Sequence, residues 1–194
     1  MYQYVKRFFD IVLSLGAIVV LSPVLLLLAI LIKADSKGPV LFKQKRVGKD
    51  KTHFEILKFR TMYADVPKDV PTHLLADPAS KITKIGRFLR KSSLDELPQI
   101  WNILVGEMSI IGPRPALWNQ FDLIAERDKY GANDVRPGLT GLAQVMGRDE
   151  LPIEVKAKYD GEYAQNVTFA NDVKIFFKTI TSVLGAKGVK EGKQ

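Results

Sequence analysis

Asp95 and Glu96 are adjacent carboxylates that follow a run of cations, Lys81, Lys84, Arg87, Arg90 and Lys91. Acidic residues at a helix start are favoured by unpaired backbone N–H groups and the helix dipole, which is reason enough for many such pairs. The preceding cations widen the chemistry open to this one, because they keep a carboxylate ionised and attract phosphate. An ionised aspartate can act as a nucleophile and form an acyl phosphate. Lys58 and Arg60 alternate on a predicted strand and so share a face, where they form either a clamp for a diphosphate or the solvated side of an edge strand. Arg114 stands between Pro113 and Pro115, and Arg136 precedes Pro137. A stiff turn limits the chain freedom around a guanidinium and favours bidentate binding of phosphate.

Several other chemistries are excluded or disfavoured. The chain of 194 residues has no cysteine and only two histidines, His53 and His73, so thiolate zinc sites, cysteine nucleophiles and histidine-rich metal sites are set aside. There is no G-x-x-x-x-G-K-[ST] loop or G-x-G-x-x-G turn, and His53-Phe54-Glu55 has no cysteine partners with which to complete an H-x-E zinc signature. The net charge of +8 points to an anionic partner: a membrane surface, a nucleic acid or a phosphorylated substrate. Few aromatics interleave the cations and no nucleic-acid motif is present, so nucleic acid is not expected as a partner.

The elements that must position these residues begin with an apolar run. Ile11 to Ile32 carries no charge, which reads as membrane-embedded. Ser22-Pro23 lies at its middle, where proline removes a backbone hydrogen bond and presses on the carbonyl of Val19. The serine hydroxyl can serve a backbone group freed there. Basic residues flank both ends: Lys6 and Arg7 before, Lys33, Lys37, Lys43, Lys45 and Arg46 after. Cations on both sides suit a helix that breaks at Ser22-Pro23 and returns through one leaflet, against the alternative of a kinked spanning helix. Tyr2, Tyr4, Phe8 and Phe9 suit the headgroup level.

Beyond a turn at Ser36-Lys37-Gly38-Pro39, Val40 to Val47 and Phe54 to Met62 predict a hairpin turning at Gly48 to Lys51. Residues 63 to 80 read as a loop, and Ile82 to Arg90 as a short helix with Ile85, Phe88 and Leu89 on one face. A helix is predicted to start near Asp95 and run to Leu104, with Leu97, Ile100, Trp101 and Leu104 inward, because Pro98 belongs in a first turn. Trp118 to Tyr130 predicts an amphipathic helix, and Tyr159 to Leu184 more helix with an apolar stripe of Phe169, Val173, Phe176, Phe177 and Ile180. Gly112 to Pro115 and Arg136 to Gly141 read as rigid loops. The fold class is therefore α/β, mostly helical with a small β-hairpin, in two parts. Residues 1–35 are expected to form the membrane anchor and residues 36–194 a second part.

Taken in order, these motifs resemble the bacterial sugar transferases, the monotopic phosphoglycosyl transferases. The likeness runs from Lys6-Arg7-x-x-Asp10 and Ser22-Pro23 through Gly38-Pro39-Val40 and Lys58-Phe59-Arg60-Thr61-Met62. It continues with Arg90, Ser93-Leu94-Asp95-Glu96-Leu97-Pro98-Gln99, Gly112-Pro113-Arg114-Pro115 and Arg136-Pro137-Gly138-Leu139-Thr140-Gly141. The chain looks like the minimal catalytic form. The resemblance implies transfer of a sugar phosphate from a UDP-sugar to undecaprenyl phosphate, with release of UMP and with magnesium (Mg2+) as cofactor. It implies Asp95 as nucleophile, Glu96 as its partner in metal binding or acceptor activation, Arg90 as a phosphate ligand and Pro113-Arg114-Pro115 near the nucleotide. It also implies a re-entrant helix at the cytoplasmic face of the bacterial inner membrane, among its lipids, and that residues 36–194 are a cytosolic-face catalytic domain with interfacial amphipathic helices. Two rivals stand beside it: a glycosyltransferase that releases UDP, and a membrane-anchored basic module without catalysis. The sugar, the pathway and the oligomeric state, a homodimer included, stay open.

Overall fold

The computed structural model describes residues 2–67, 77, 79–147 and 151–184. Most of the loop expected at 63 to 80 lies outside the described residues. The first element, α1, runs from Tyr2 to Asp35 with Pro23 inside it. The break expected at Ser22-Pro23 takes the form of one lost hydrogen bond and not an end of the helix. Ser22 Oγ donates to Val19 O at 2.8 Å, so the carbonyl that Pro23 cannot serve finds a donor on its own helix. Among the residues of α1 only Asp10, Ser14, Leu28 and Ile32 are buried. A helix long and apolar enough to cross a membrane therefore stands largely exposed, as lipid solvation allows and water does not.

Both ends of α1 are fastened to one globular unit. Near its start, Arg7 donates to Ile103 O and Leu104 O at 2.6 and 2.7 Å, and Asp10 accepts from Ile110 N at 2.9 Å. Lys6 pairs with Asp172 at 2.7 Å. Near its end, Leu28 and Ile32 pack on Phe59 and Leu89, and Asp35 accepts from Ile85 N at 3.1 Å.

The hairpin forms as its pattern predicts: β1 (Leu41–Val47) pairs antiparallel with β2 (His53–Phe59), Leu41 opposite Phe59 and Val47 opposite His53. Its turn is a short 3₁₀ segment, Lys49–Lys51. The first helix after the loop, α2, covers Lys84–Ser92. Gly86 and Leu89 are its buried residues, while Phe88 faces out at 56% exposure. The next expected helix divides. A 3₁₀ turn at Leu94–Glu96 precedes α3 (Gln99–Val105), whose inner face is Gln99, Ile100, Asn102 and Ile103, and Trp101 is exposed.

A second small sheet joins two motif loops. β3 (Ser109–Ile111) and β4 (Gly138–Thr140) are parallel, Ser109 opposite Gly138. Gly112 and Gly138 meet so closely that a Cβ on Gly138 would lie 2.1 Å from Gly112 N, which no side chain tolerates. Helices α4 (Phe121–Asp128), α5 (Leu142–Met146), α6 (Ile153–Gln165) and α7 (Phe169–Leu184) complete the unit. The α7 stripe turns outward, with Phe169, Val173, Phe176, Phe177 and Ile180 all exposed, and Ile175 is the buried contact. The described residues thus make a mostly helical α/β fold with two small sheets.

Candidate active site

Ser93 sets the position of the two carboxylates. It takes a left-handed conformation (φ 56°) and ends α2, its N–H turning back to Arg90 O and Leu89 O. The chain then tightens into the 3₁₀ turn, with Glu96 N donating to Ser93 O and Leu97 N to Leu94 O. Pro98 enters at φ −61° and caps α3. Asp95 and Glu96 therefore lie in the corner between two helices and not on the first turn of α3. The N-terminal N–H groups of that helix do not hold them; side chains from other elements hold Glu96 and surround Asp95.

Those side chains are cations. Lys58 Nζ, reaching from β2, and Arg114 Nη2, from the loop after β3, both donate to Glu96 Oε1 at 2.7 Å. Glu96 and Lys58 are about 15% exposed and Arg114 37%. Burial alone would raise the Glu96 pKa, but the charges and hydrogen bonds of Arg114 and Lys58 outweigh it and hold the carboxyl well below the ordinary range. Burial works against the Lys58 ammonium and lowers its pKa, with Glu96 offsetting part of the effect. Asp95 behaves differently. Burial and the adjacent Glu96 push its pKa up, against the pull of Lys58, Arg90 and Arg114. Asp95 makes no ion pair or side-chain hydrogen bond among the described residues, so its oxygens face the cluster uncommitted.

Arg90 Nε donates to Thr61 Oγ1 at 2.9 Å, which fixes the guanidinium at the end of α2 within reach of the Asp95 field. Arg46 is a site residue that sequence reading treated only as part of a basic flank. It lies half-buried against the Pro113-Arg114-Pro115 turn, donating to Pro115 O at 3.0 Å and to Gln44 Oε1. Burial and then Arg114 oppose its charge, and Glu96 offsets them. The alternation of Gln44 and Arg46 on β1 was the available signal, but two polar side chains on an edge strand carry no direction. Arg127 braces the same turn from α4 by donating to Arg114 O at 2.9 Å.

Two predicted phosphate ligands are placed elsewhere. Arg60 is 5% exposed and fully engaged in a structural role: it donates to Pro39 O, Ser36 Oγ and Ser36 O at 2.6 to 2.9 Å, tying the strand end to the exit of α1. Arg136 lies outside the Glu96 cluster, its Nε donating to Gly106 O at 3.0 Å. The structure brings together Lys58, Arg90, Asp95, Glu96 and the Pro113-Arg114-Pro115 turn. Ser22 and Pro23 are remote from it in the chain and on the exposed part of α1.

No group of three or more His, Asp or Glu that could hold a metal ion occurs among the described residues. Two adjacent carboxylates still suit magnesium, which is commonly held by one or two carboxylates and takes its remaining ligands from substrate phosphates and water. The residues present fit that arrangement and no all-protein cage.

The sequence that builds this site is similar over most of its length to known proteins. The profile of the bacterial sugar transferases matches residues 1–186. A UDP-galactose-lipid carrier transferase of Erwinia amylovora is 38% identical over 206 residues, covering 96% of this chain and 42% of its own length. A UDP-N-acetylgalactosamine-undecaprenyl-phosphate N-acetylgalactosaminephosphotransferase of Aeromonas hydrophila is 39% identical, covering 97% and 46%. The exopolysaccharide production protein PSS of Rhizobium leguminosarum bv. phaseoli is 40% identical, covering 92% and 94%. The chain thus spans under half the length of the first two relatives and nearly all of the third. Matched along almost its whole length by the profile and over 92% of its length by one relative, the chain belongs to the bacterial sugar transferase family.

Proposed function

We propose that this protein transfers a sugar phosphate from a UDP-sugar to undecaprenyl phosphate and releases UMP, as a membrane step of glycan synthesis. The observation that carries the reading is the division of labour in the carboxylate pair. Glu96 holds both Lys58 and Arg114 on its Oε1, while Asp95 beside it is uncommitted and more basic than an ordinary aspartate. The names of the Erwinia and Aeromonas relatives support the substrate classes.

In the first half-reaction an Asp95 oxygen attacks the phosphorus that bears the sugar. The bond from that phosphorus to the bridging oxygen breaks, and UMP leaves with the electron pair. In the second, an oxygen of the lipid phosphate attacks the same phosphorus and the Asp95 carboxylate departs. Arg114, Arg90 and Lys58 surround Asp95 and would offset the negative charge that builds on the phosphoryl oxygens. Glu96 keeps Lys58 and Arg114 aimed. Magnesium, bound through Asp95 or Glu96 and the diphosphate, would supply further charge neutralisation.

The test is direct. Enzyme given UDP-sugar labelled in the sugar, without lipid, should carry one label on Asp95 and release UMP; release of UDP, or no label on a competent enzyme, would overturn the reading. Chelator should abolish release and magnesium restore it.

The same reading places the active site at the cytoplasmic face of the inner membrane, with α1 entering and leaving by one leaflet. Its support is that both ends of α1 bond to one folded unit, through Arg7 and Asp10 at one end and Asp35 at the other. A spanning helix would put these ends on opposite sides of a hydrocarbon layer about 30 Å thick. A cysteine introduced at Tyr2 should resist an impermeant maleimide in intact cells and react once they are opened. Labelling from outside would mean that α1 spans.

A further inference from the structure

A small open cleft lies at the amino end of α1, lined by Lys6, Arg7, Lys49, Arg136, Asp10 and Asp134. It shares no residue with the Asp95–Glu96 cluster. Its inner charges are mostly committed to structure: Arg7 caps the end of α3, Lys6 holds Asp172, and Asp10 holds Ile110 N. Three donors are not. Arg136 uses only Nε, on Gly106 O, and its two terminal nitrogens make no hydrogen bond among the described residues. Lys49 is 45% exposed and stands a loose 3.7 Å from Asp50. Ser109 lines the same cleft at 1% exposure, and its hydroxyl is buried without a partner. A buried hydroxyl with nothing to bond is costly unless a ligand completes it. A planar guanidinium fork, an ammonium and a hydroxyl together match the oxygens of a phosphate group.

The surroundings indicate where the phosphate comes from. Tyr2 donates to the same Asp172 oxygen as Lys6, and its ring packs edge-on against Phe169 at 6.4 Å. Phe169 packs on Phe9, and Phe9 on Phe8. Phe8, Phe9 and Phe169 are 43 to 61% exposed, and Tyr4 is 84% exposed. An exposed aromatic patch at the mouth of an apolar helix sits at headgroup depth, where anionic lipids concentrate beside basic residues.

We propose that this cleft is a second anion site, which binds the phosphate of an anionic phospholipid through Arg136, Lys49 and Ser109. It rests on the membrane-associated character of α1 and not on the transfer reaction, so the two can fail separately.

The test uses the full chain in neutral detergent and follows its unfolding temperature during titration with short-chain phosphatidylglycerol, short-chain phosphatidylcholine and inorganic phosphate. Phosphatidylglycerol should give a saturable rise. Arg136→Gln and Lys49→Gln should each weaken that binding by about tenfold, the loss of one charge-assisted hydrogen bond. Lys49 is a surface residue, so its variant tests the site even where Arg136→Gln folds poorly. Arg90→Gln, altered in the other cluster, should bind as the native chain does. The proposal is overturned by an equal rise with phosphatidylcholine, by undiminished binding in the Lys49 variant, or by loss of binding in the Arg90 variant. Inorganic phosphate binding as tightly as phosphatidylglycerol would also overturn it, because it would make the cleft a site for free phosphate.

Discussion

Glu96 and Asp160 are both largely buried carboxylates that hold an arginine, yet their surroundings differ. Asp160 is 1% exposed and Arg127 4%, and the guanidinium meets a single carboxylate oxygen through Nε at 2.8 Å and Nη2 at 2.5 Å. One charge faces one charge, and Arg127 places a further donor on Arg114 O. This pair closes α4 onto α6. At Glu96 two cations converge on one oxygen, Arg46 lies close to Glu96 and Arg90 to Asp95, and Asp95 has no side-chain hydrogen-bond partner among the described residues. The first arrangement is balanced without a ligand. The second carries an excess of positive charge and a carboxylate that no cation holds directly, a state that a polyanionic substrate would relieve. Burial of an ion pair is common to both, so burial alone does not mark a site; imbalance does.

The largest expected effect comes from removing the unsatisfied member. Asp95→Asn keeps size and shape but takes away the proposed nucleophile. UMP release should fall by roughly 10⁴-fold, as when a covalent nucleophile is deleted. The unfolding temperature should hold or rise, because the substitution removes a carboxylate that burial and Glu96 both disfavour. A variant that loses activity by losing its fold would break the comparison, since Asp95 would then be structural like Asp160.

The opposite outcome is expected from the balanced pair. Asp160→Asn leaves the Arg127 charge buried and unpaired, which costs about 3–5 kcal/mol. For a chain of this length that is a fall of roughly 10 °C in unfolding temperature, read by thermal unfolding in detergent. Molecules that remain folded should release UMP within a few-fold of the native rate. A stable Asp160→Asn protein with abolished turnover would place Asp160 in the chemistry and erase the distinction.

The sequence reading found the members of the imbalanced cluster more readily than their geometry. The hairpin was legible because alternation and Gly48 both act within a few residues. The helix start at Asp95 was misplaced because Ser93 adopts a positive φ that its residue type does not announce. Asp95 and Glu96 then occupy a corner, and their setting comes from β2 and the Arg114 turn, far away in the chain. Lys58 and Arg60 look equivalent on a strand, yet one reaches Glu96 and the other the carbonyls at the exit of α1. Arg114 and Arg136 look equivalent beside proline, yet only the first reaches the carboxylate. In both cases the deciding partner is tertiary. Asp160 drew no attention at all, because a lone aspartate within a helix gives no hint of the arginine it meets across 33 positions. The outward stripe of α7 was read correctly as a stripe. Periodicity marks one face of a helix, and whether lipid or core covers that face depends on what surrounds it.

The smallest effect is expected where the two regions touch. Arg127 Nη2 donates both to Asp160 and to Arg114 O, so the balanced pair also holds the backbone of a residue in the imbalanced one. Arg127→Lys retains the positive charge opposite Asp160, and the buried carboxylate is not stranded. It loses the planar fork, and a single ammonium cannot reach Asp160 and Arg114 O in the same geometry. Pro113 and Pro115 limit how far Arg114 can shift, and Arg46 still holds Pro115 O from the other side. The turn should therefore relax by a fraction of an ångström, where a full ångström of misplacement can lose about a hundredfold in rate. UMP release should fall about three- to tenfold, with a fall in unfolding temperature well short of that of Asp160→Asn. Native activity with lowered stability would show that the two pairs act independently. A loss of activity as deep as that of Asp95→Asn would show that Arg127 belongs to the catalytic cluster, and the division between a structural and a chemical ion pair would no longer hold.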